Sequence, residues 1–519
     1  MTNRASSAID SRRCWWLPSV STILWLIIFL TSNLSAIRVA TIASDSDPCW
    51  HWQEGNWMLQ HHAVPRTELF SHTRGGSPFV DLWWLSEVVT ALAGNFLGWG
   101  GIILVAMFVC ATIVWLLHRQ LLAEGNELLL STVLALLAAA VCATHWLARP
   151  HLATQLLVVV FAWQLRWFQR GRTTTCRLLI LLPLLTALWA NLHGAFVIAF
   201  ALIGIHWVGT VASWVGATAD EKPAVRHRVM VLTALGAACL LATLLNPNGW
   251  RLPLRVVSYM SSPLLMGLAQ EYLPPNFRDP TMLPFLLVCV LTLLMLVIVR
   301  PRLNATDALL LLAWFLLSLR MVRNCPLFAL VATPILAEHW NAYLRAAPPS
   351  WLIRRYRTIS ATMTSVNQMA GARGLPLLAT IAMILVLAKP QIVGGRPLLT
   401  TELPANRFPV GAVEFLRRSP DAVRGEMFNE YSWGGYFILA MPERKVFIHP
   451  NLDVYGEELV RDFLKVNDAD SGWDDILKKY HVGWTILPPD HRLSRVLAQR
   501  TDWKLVYSDS VASIYGRKP

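Results

Sequence analysis

Eleven apolar runs near the length of a bilayer crossing constrain this chain more than any other feature. They lie at 18–42, 99–117, 128–147, 152–167, 178–192, 195–215, 229–245, 283–299, 307–323, 326–343 and 375–393. A hydrocarbon layer about 30 Å thick takes about 20 helical residues, and a helix satisfies its own backbone polar groups inside that layer. The predicted fold class is therefore an α-helical polytopic membrane protein with about eleven transmembrane helices. The runs at 152–167 and 178–192 are short, and the run at 307–323 ends in Arg320 and Arg323. Composition agrees with this reading. Only 15% of the 519 residues are charged, against about 25% in soluble domains, which excludes an ordinary soluble enzyme. The 55% hydrophobic content equally excludes a disordered chain.

The formal charge of +13 raises the question of nucleic acid. Beyond residue 400 there are 16 Lys and Arg against 17 Asp and Glu, and before it 29 against 15. The excess thus sits in the loops of the hydrophobic part, where the positive-inside rule and anionic lipid account for it. No nucleic-acid partner is implied. Alternate loops carry eighteen and eight Lys and Arg, which places the N-terminus in the cytoplasm. Eleven crossings then put the C-terminus outside. The first run follows Arg12 and Arg13 but is long for a signal sequence, so it reads as an uncleaved anchor. The eight cysteines contain no CxxC pair, and none lies beyond Cys325.

Two domains are expected: a transmembrane part over 1–393 and a periplasmic α/β domain over 394–519. The transmembrane part has a first outward loop at 43–98 and a second at 246–282, the latter broken by Pro247, Pro253, Pro263, Pro274 and Pro275. In the last 126 residues, short apolar segments alternate with helical stretches such as Glu457–Lys465 and Trp473–Tyr480. The pairs Gly75-Gly76 and Gly434-Gly435 read as turns, because neither sits in a strand-to-helix phosphate loop.

Six of the fifteen acidic residues before position 400 fall between Asp45 and Glu87, in the first outward loop. Asp45 and Asp47 are two apart, so an extended backbone would point both the same way, as cation binding or shared acid–base work requires. Asp47-Pro48 is also a good helix start, and the two roles are compatible. Arg149, Arg251, Arg255, Arg320 and Arg323 lie at outward ends of spans, against the charge rule. Guanidinium groups beside apolar walls suit phosphate or pyrophosphate, which accept paired hydrogen bonds; snorkelling to lipid headgroups is the competing role. His193 in Asn191-Leu-His-Gly194 suits orienting a loop or bonding a ligand hydroxyl. No zinc spacing, nucleophile triad or P-loop is present.

An uncleaved first span, an outward loop opening on Asp45-Ser-Asp47-Pro-Cys-Trp-His51, many spans and an exported α/β domain together resemble the GT-C superfamily of membrane glycosyltransferases. That group includes oligosaccharyltransferase catalytic subunits, protein O-mannosyltransferases and aminoarabinose transferases. The strings Arg149-Pro-His151, Asn246-Pro-Asn-Gly-Trp250, Arg323-Asn-Cys-Pro326 and Asn429-Glu-Tyr-Ser-Trp-Gly-Gly-Tyr436 are similar to those of a bacterial branch of it.

The resemblance implies inverting transfer of a sugar from a polyprenyl-phosphate or polyprenyl-pyrophosphate donor to an envelope glycan, lipid or protein. The reaction would take place on the periplasmic face of the inner membrane. Asp47 is the expected general base or metal-linked carboxylate, with Asp45 or Glu68 orienting it. Glu68 stands where that group leads one to expect Asp, and the Tyr431–Tyr436 segment lacks the acidic residue of the oligosaccharyltransferase acceptor motif. Metal dependence varies across the superfamily; a divalent cation, Mg or Mn, would sit on Asp45 and Asp47. Arg149, His193, Arg251, Arg255, Arg320 and Arg323 are the expected substrate- and phosphate-binding set. A transporter or lipid flippase and a non-catalytic scaffold of envelope assembly are the rival readings. The flippase would put its charges at the midplane, whereas the non-arginine polar groups here gather at one surface.

Overall fold

The computed structural model describes residues 14–34, 45–268, 270–388, 392–393, 396–397 and 403–518. Each of the eleven apolar runs falls on a helix, although parts of the first and last runs lie outside the described residues. We label the elements used below α1 (Val20–Leu34), α2 (Asp47–His61), α3 (Trp84–Ala123), α4 (Leu128–Cys142), α5 (His151–Gln169), α6 (Thr175–Leu192), α7 (Val197–Gly216), α8 (Lys222–Ala242), α9 (Arg251–Met260), α10 (Leu283–Leu294), α11 (Ala305–Arg320), α12 (Cys325–Ala346) and α13 (Leu375–Ala388). Among the described residues, six helices are long and apolar enough to cross a membrane by themselves: α3, α4 extended to His145, α6, α7 with its preceding turn, α8, and α10 extended over 280–299. α1 and α13 are apolar but shorter. The chain is a multi-pass membrane protein.

Packing divides these helices into an inner and an outer surface. Phe29, Met107, Leu117, Phe161, Trp189, Phe196, Phe285 and Phe328 are almost wholly buried in one continuous cluster. Leu184, Val208, Leu241, Leu293, Leu312, Leu316, Leu377 and Leu385 stay exposed, apolar surface of the kind that lipid covers without cost. The predicted run at 99–117 proves to be the second half of α3, a 40-residue helix bent at Gly98, whose φ of 59° only glycine adopts freely. The first half of α3 stands outside the apolar run and packs against α2. Gly55 makes that approach possible: a Cβ there would lie 2.1 Å from the Glu87 carbonyl oxygen.

The C-terminal part is built on a four-stranded sheet. Its strands are β1 (Glu426–Asn429), β2 (Val482–Leu487), β3 (Trp503–Ser508) and β4 (Ser513–Arg517), in the spatial order β1-β2-β4-β3. β1 runs parallel to β2, and β4 antiparallel to both β2 and β3. Alternate residues serve opposite faces. Met427, Trp484, Ile486 and Ile514 meet Ala412, Val413 and Phe437 on one side, while Phe428, Leu487 and Tyr515 meet Leu459, Val460 and Phe463 on the other.

The first of these two cores also takes Cys49 and Trp50 from α2, so the sheet domain is seated on the loop that follows the first helix. The loop answers with backbone pairing. Val446 N–H donates to the Phe70 carbonyl (3.0 Å), and His72 N–H donates to the Val446 carbonyl (3.0 Å). Gly75-Gly76 is a turn, with φ 77° at Gly76. Gly434-Gly435 is not: the pair opens the short helix Gly434–Ala440. A Cβ on Gly435 would lie 2.3 Å from the Ser46 carbonyl oxygen, so the absence of side chains there serves close packing on α2.

Candidate active site

Asp47 is the first residue of α2, and Pro48 follows it where a missing N–H costs nothing. Its side chain does not cap the helix. The N–H of Asp47 is taken instead by the Asp45 carboxylate (3.2 Å), which frees the Asp47 carboxylate to face Arg149. Arg149 Nη1 is 3.0 Å from Asp47 Oδ2, and Arg149 Nε donates to Asp45 Oδ2. One guanidinium thus grips both carboxylates. The extended backbone expected between them is absent, because Ser46 is helical (φ −85°, ψ −9°); the shared arginine brings the two together instead. Trp50 Nε1 lies 3.5 Å from Asp47 Oδ1.

The second large loop adds a residue that sequence reading passed over. Glu271 pairs with Arg323 (3.2 Å), whose guanidinium lies 4.6 Å over the Tyr272 ring. Burial opposes ionisation of Glu271, but Arg323 and Arg149 outweigh it and hold the carboxyl down at about 2. For Asp47 the balance is reversed. Burial raises its pKa, Arg149 pulls the other way, and Asp45 and Glu271 add to the rise, leaving it at about 7. That value is close to ideal for a group that must accept a proton near neutrality. The cluster therefore sets one carboxyl that titrates near neutrality beside the Arg149 guanidinium.

The remaining arginines separate into two kinds. Arg251 and Arg255 line a cavity of about 810 Å³ together with Arg66, Phe79, Asn246 and Asn248. Arg255 Nε is also 2.9 Å from Asp453 Oδ2. Arg251, Arg255 and Tyr259 follow one face of α9 at i, i+4 and i+8. Tyr259 reaches Tyr272, with ring centroids 6.4 Å apart. The cavity is thus linked through α9 to the Arg323–Glu271 pair, at a separation of roughly 12 Å along the helix. Arg320 is exposed and has no ion-pair partner among the described residues.

Glu68 and His193 are placed elsewhere. Glu68 accepts hydrogen bonds from the backbone N–H of Phe70 (2.8 Å) and Ser71 (2.9 Å) and from the Ser71 hydroxyl (2.9 Å). Although burial raises its pKa, the His449 imidazole and these amides hold it below the usual range. It organises its own loop, and no contact joins it to Asp47. His193 closes α6 and bonds Thr154 Oγ1 through Nδ1 (2.9 Å), while Trp189 Nε1 donates to the same hydroxyl (2.9 Å). Its Nδ1 also accepts the Ala195 N–H (3.3 Å), which is the loop-orienting bond.

The fit of a cation to Asp45 and Asp47 is decided by Arg149. The oxygens of both carboxylates already have partners, Arg149 on Oδ2 of each, the Asp47 N–H on Asp45 Oδ1 and Trp50 Nε1 near Asp47 Oδ1, so in this arrangement they do not fit a divalent metal. Among the described residues, the buried carboxylates without a guanidinium partner that stand close together are Glu54, Asp81 and Glu87, whose oxygens lie within 4.8 Å of one another. Sequence reading grouped all three with the first-loop acids and gave them no role.

No family model matches the chain, and no curated protein does. Solved structures do. The oligosaccharyltransferase AglB of Archaeoglobus fulgidus, in complex with an inhibitory peptide and a dolichol-phosphate, superposes with a TM-score of 0.56 at 11% identity, covering 90% of this chain and 69% of AglB. The apo form of the A. fulgidus enzyme gives 0.54 at 12% identity over 93% of this chain and 69% of that one. The form tethered to an acceptor peptide containing an NVT sequon gives 0.54 at 12% identity over 90% and 68%. The match takes in the helical bundle and the sheet domain alike, and on it the chain shares the fold of these archaeal oligosaccharyltransferase structures.

Proposed function

We propose that the protein is a GT-C glycosyltransferase that moves a sugar from a polyprenyl-linked phosphate or pyrophosphate to an acceptor hydroxyl. The N-terminus would lie in the cytoplasm of a bacterial cell, with Asp47 and the sheet domain on the periplasmic side. The observation that carries the reading is the buried Asp47 carboxylate, with its pKa at about 7 and its orientation fixed by Arg149.

In this scheme the acceptor oxygen attacks the anomeric carbon as Asp47 takes its proton. The bond from that carbon to the phosphate oxygen breaks, and the lipid phosphate leaves with the electron pair. A single displacement inverts the anomeric centre. General-base assistance of this kind contributes about 10²–10⁴-fold. The donor phosphate gains charge as it leaves, and the cavity lined by Arg66, Arg251 and Arg255 supplies the cations that stabilise that charge. Arg323, held by Glu271 and Tyr272, is linked to this cavity through Tyr259 on α9.

The test is transfer of radiolabelled sugar from a polyprenyl-phosphate donor by purified protein in lipid. Wild type should convert donor without added proteins, and Asp47→Asn should lose at least 100-fold of that rate. Transfer by the variant at the wild-type rate would end the assignment. So would wild-type protein that converts no lipid-linked sugar of any class, which is the result the scaffold and flippase readings require.

A further inference from the structure

Three carboxylates are buried together in the first outward loop, and among the described residues no Lys or Arg pairs with them. Glu54 is 4% exposed, Asp81 1% and Glu87 0%. The packing of α2 on α3 at Gly55 sets Glu54 beside Glu87, and Asp81 arrives from the loop that leads into α3. Among the described residues the one basic contact to the three is His51, whose Nδ1 lies 2.8 Å from Glu87 Oε1. Asp81 Oδ1 accepts the Trp83 N–H (2.7 Å), while Asp81 Oδ2 and Glu87 Oε2 are buried with no hydrogen-bond partner. Leaving such oxygens unmatched costs more than the net worth of a typical hydrogen bond.

A second feature, independent of the acids, points into the same place. Glu54 also lines a cavity of about 10 Å³ with Glu68, Phe70, His449 and Asn451, room for about one water molecule. His449 is 2% exposed and Asn451 4%. Neither ring nitrogen of His449 has a hydrogen-bond partner, nor does Asn451 Oδ1; His449 Nε2 stands 3.9 Å from Glu68 Oε1. Polar side chains from the sheet domain are thus left unsatisfied around a water-sized space that one of the three acids faces. A cation held by the acids with a coordinated water in that space would satisfy both groups.

We infer that Glu54, Asp81 and Glu87 bind a divalent cation that prefers oxygen ligands. Three carboxylates and water form a hard ligand set, suited to Mg²⁺, Mn²⁺ or Ca²⁺ and poorly suited to thiophilic metals. The cation ties α2 to the start of α3, and its water touches the sheet domain through His449 and Asn451. It stands apart from Asp47, and the site does not depend on the transferase reading.

The experiment uses full-length protein in detergent, stripped with EDTA and then titrated with Mn²⁺, with bound metal counted by mass spectrometry and thermal unfolding followed in parallel. Wild type should hold one Mn²⁺ per chain and recover, on its addition, the melting temperature lost to EDTA. Glu54→Gln should bind at least 10-fold more weakly and no longer respond to EDTA, whereas Asp45→Asn should retain the ion. Three results overturn the inference. One is wild type with no stoichiometric cation and no response to EDTA. Another is Glu54→Gln that melts at or above wild type in the presence of Mn²⁺, since the carboxylates would then be held by protons, and an amide replaces a protonated acid without loss. The third is a cation whose binding is lost in Asp45→Asn and kept in Glu54→Gln.

Discussion

At the scale of single residues, the site turns on how one guanidinium is shared. Arg149 pairs with both Asp45 and Asp47, yet burial leaves Asp47 titrating at about 7. The rate of sugar transfer should therefore rise with pH as Asp47 loses its proton, with the midpoint of kcat/KM near pH 7. The same shift acts on stability in the opposite sense. Between the ordinary carboxylate range and about pH 7 the folded chain holds a proton on Asp47 that the unfolded chain has lost. That contribution to stability is complete in acid and disappears as pH rises across the interval. Asp47→Asn should flatten this part of a melting-temperature profile.

Arg149→Met removes the charge that pulls Asp47 downward, and an opposite charge at this range is worth about 1–3 pKa units. The acidic limb of the pH–rate profile should move up by at least one unit in that variant. Arg149→Lys should keep the limb in place but lose turnover, because an ammonium cannot span two carboxylates. A profile unmoved by Arg149→Met would show that the proton lost on this limb is not the one on Asp47.

At the scale of elements, the geometry of Asp47 depends on what its helix leans against. The Ser46 carbonyl is pressed on Gly435 so closely that a methyl group would lie 2.3 Å away. Gly435→Ala should push the first turn of α2 off the sheet domain and separate Asp47 from Arg149. The expected result is a loss of turnover of at least 10-fold with little change in donor KM. Equal losses in all kinetic constants together with the melting temperature would instead mark a fault of packing alone.

This contact also shows what was legible in the sequence and what was not. Period and length located the helices, and the Asp-Ser-Asp string and two of the five outward arginines, Arg149 and Arg323, fall in the cluster around Asp47 and Glu271. Local spacing misjudged Gly434-Gly435, because a glycine kept for a neighbour 389 positions away looks the same as one kept for a turn. It misjudged Glu68 because amides two and three residues onward consume its carboxylate. Glu271 did leave a trace, as one of only two acids in a loop with three arginines. Glu54 left a weaker one: Asp47, His51 and Glu54 fall on one helical face at i, i+4 and i+7.

For the whole molecule, the two ends of the bundle are held by different means. At the end away from the sheet domain, Arg166 joins α5 to three other helices through Glu124 (3.0 Å), Asp307 (2.9 Å) and Glu338, a fixed brace among charges of opposite sign. At the other end the first loop and the sheet domain hold each other. Arg74 Nε and Nη2 donate to the Tyr455 carbonyl (3.1 and 2.8 Å), Thr73 Oγ1 donates to the Phe447 carbonyl (2.7 Å), and Trp50 is built into the domain's core. Neither partner has a complete core alone, so the two should open as a unit, as packed substructures commonly do.

Arg74→Ala removes two hydrogen bonds to one carbonyl, about 1–3 kcal/mol. In hydrogen exchange on the full chain in lipid, that variant should lower protection of the His72 amide and of the Phe447 amide, which donates to Asn429 Oδ1 inside the sheet domain (2.9 Å), by the same factor. Amides around Val158, deep in the bundle, should keep the wild-type rate. If His72 loosens while Phe447 does not, the loop is a passive strap over an independent domain. If both loosen together, the loop that carries Asp47 is part of the domain's own fold, and that carboxylate is positioned by the sheet domain and the helical bundle at once.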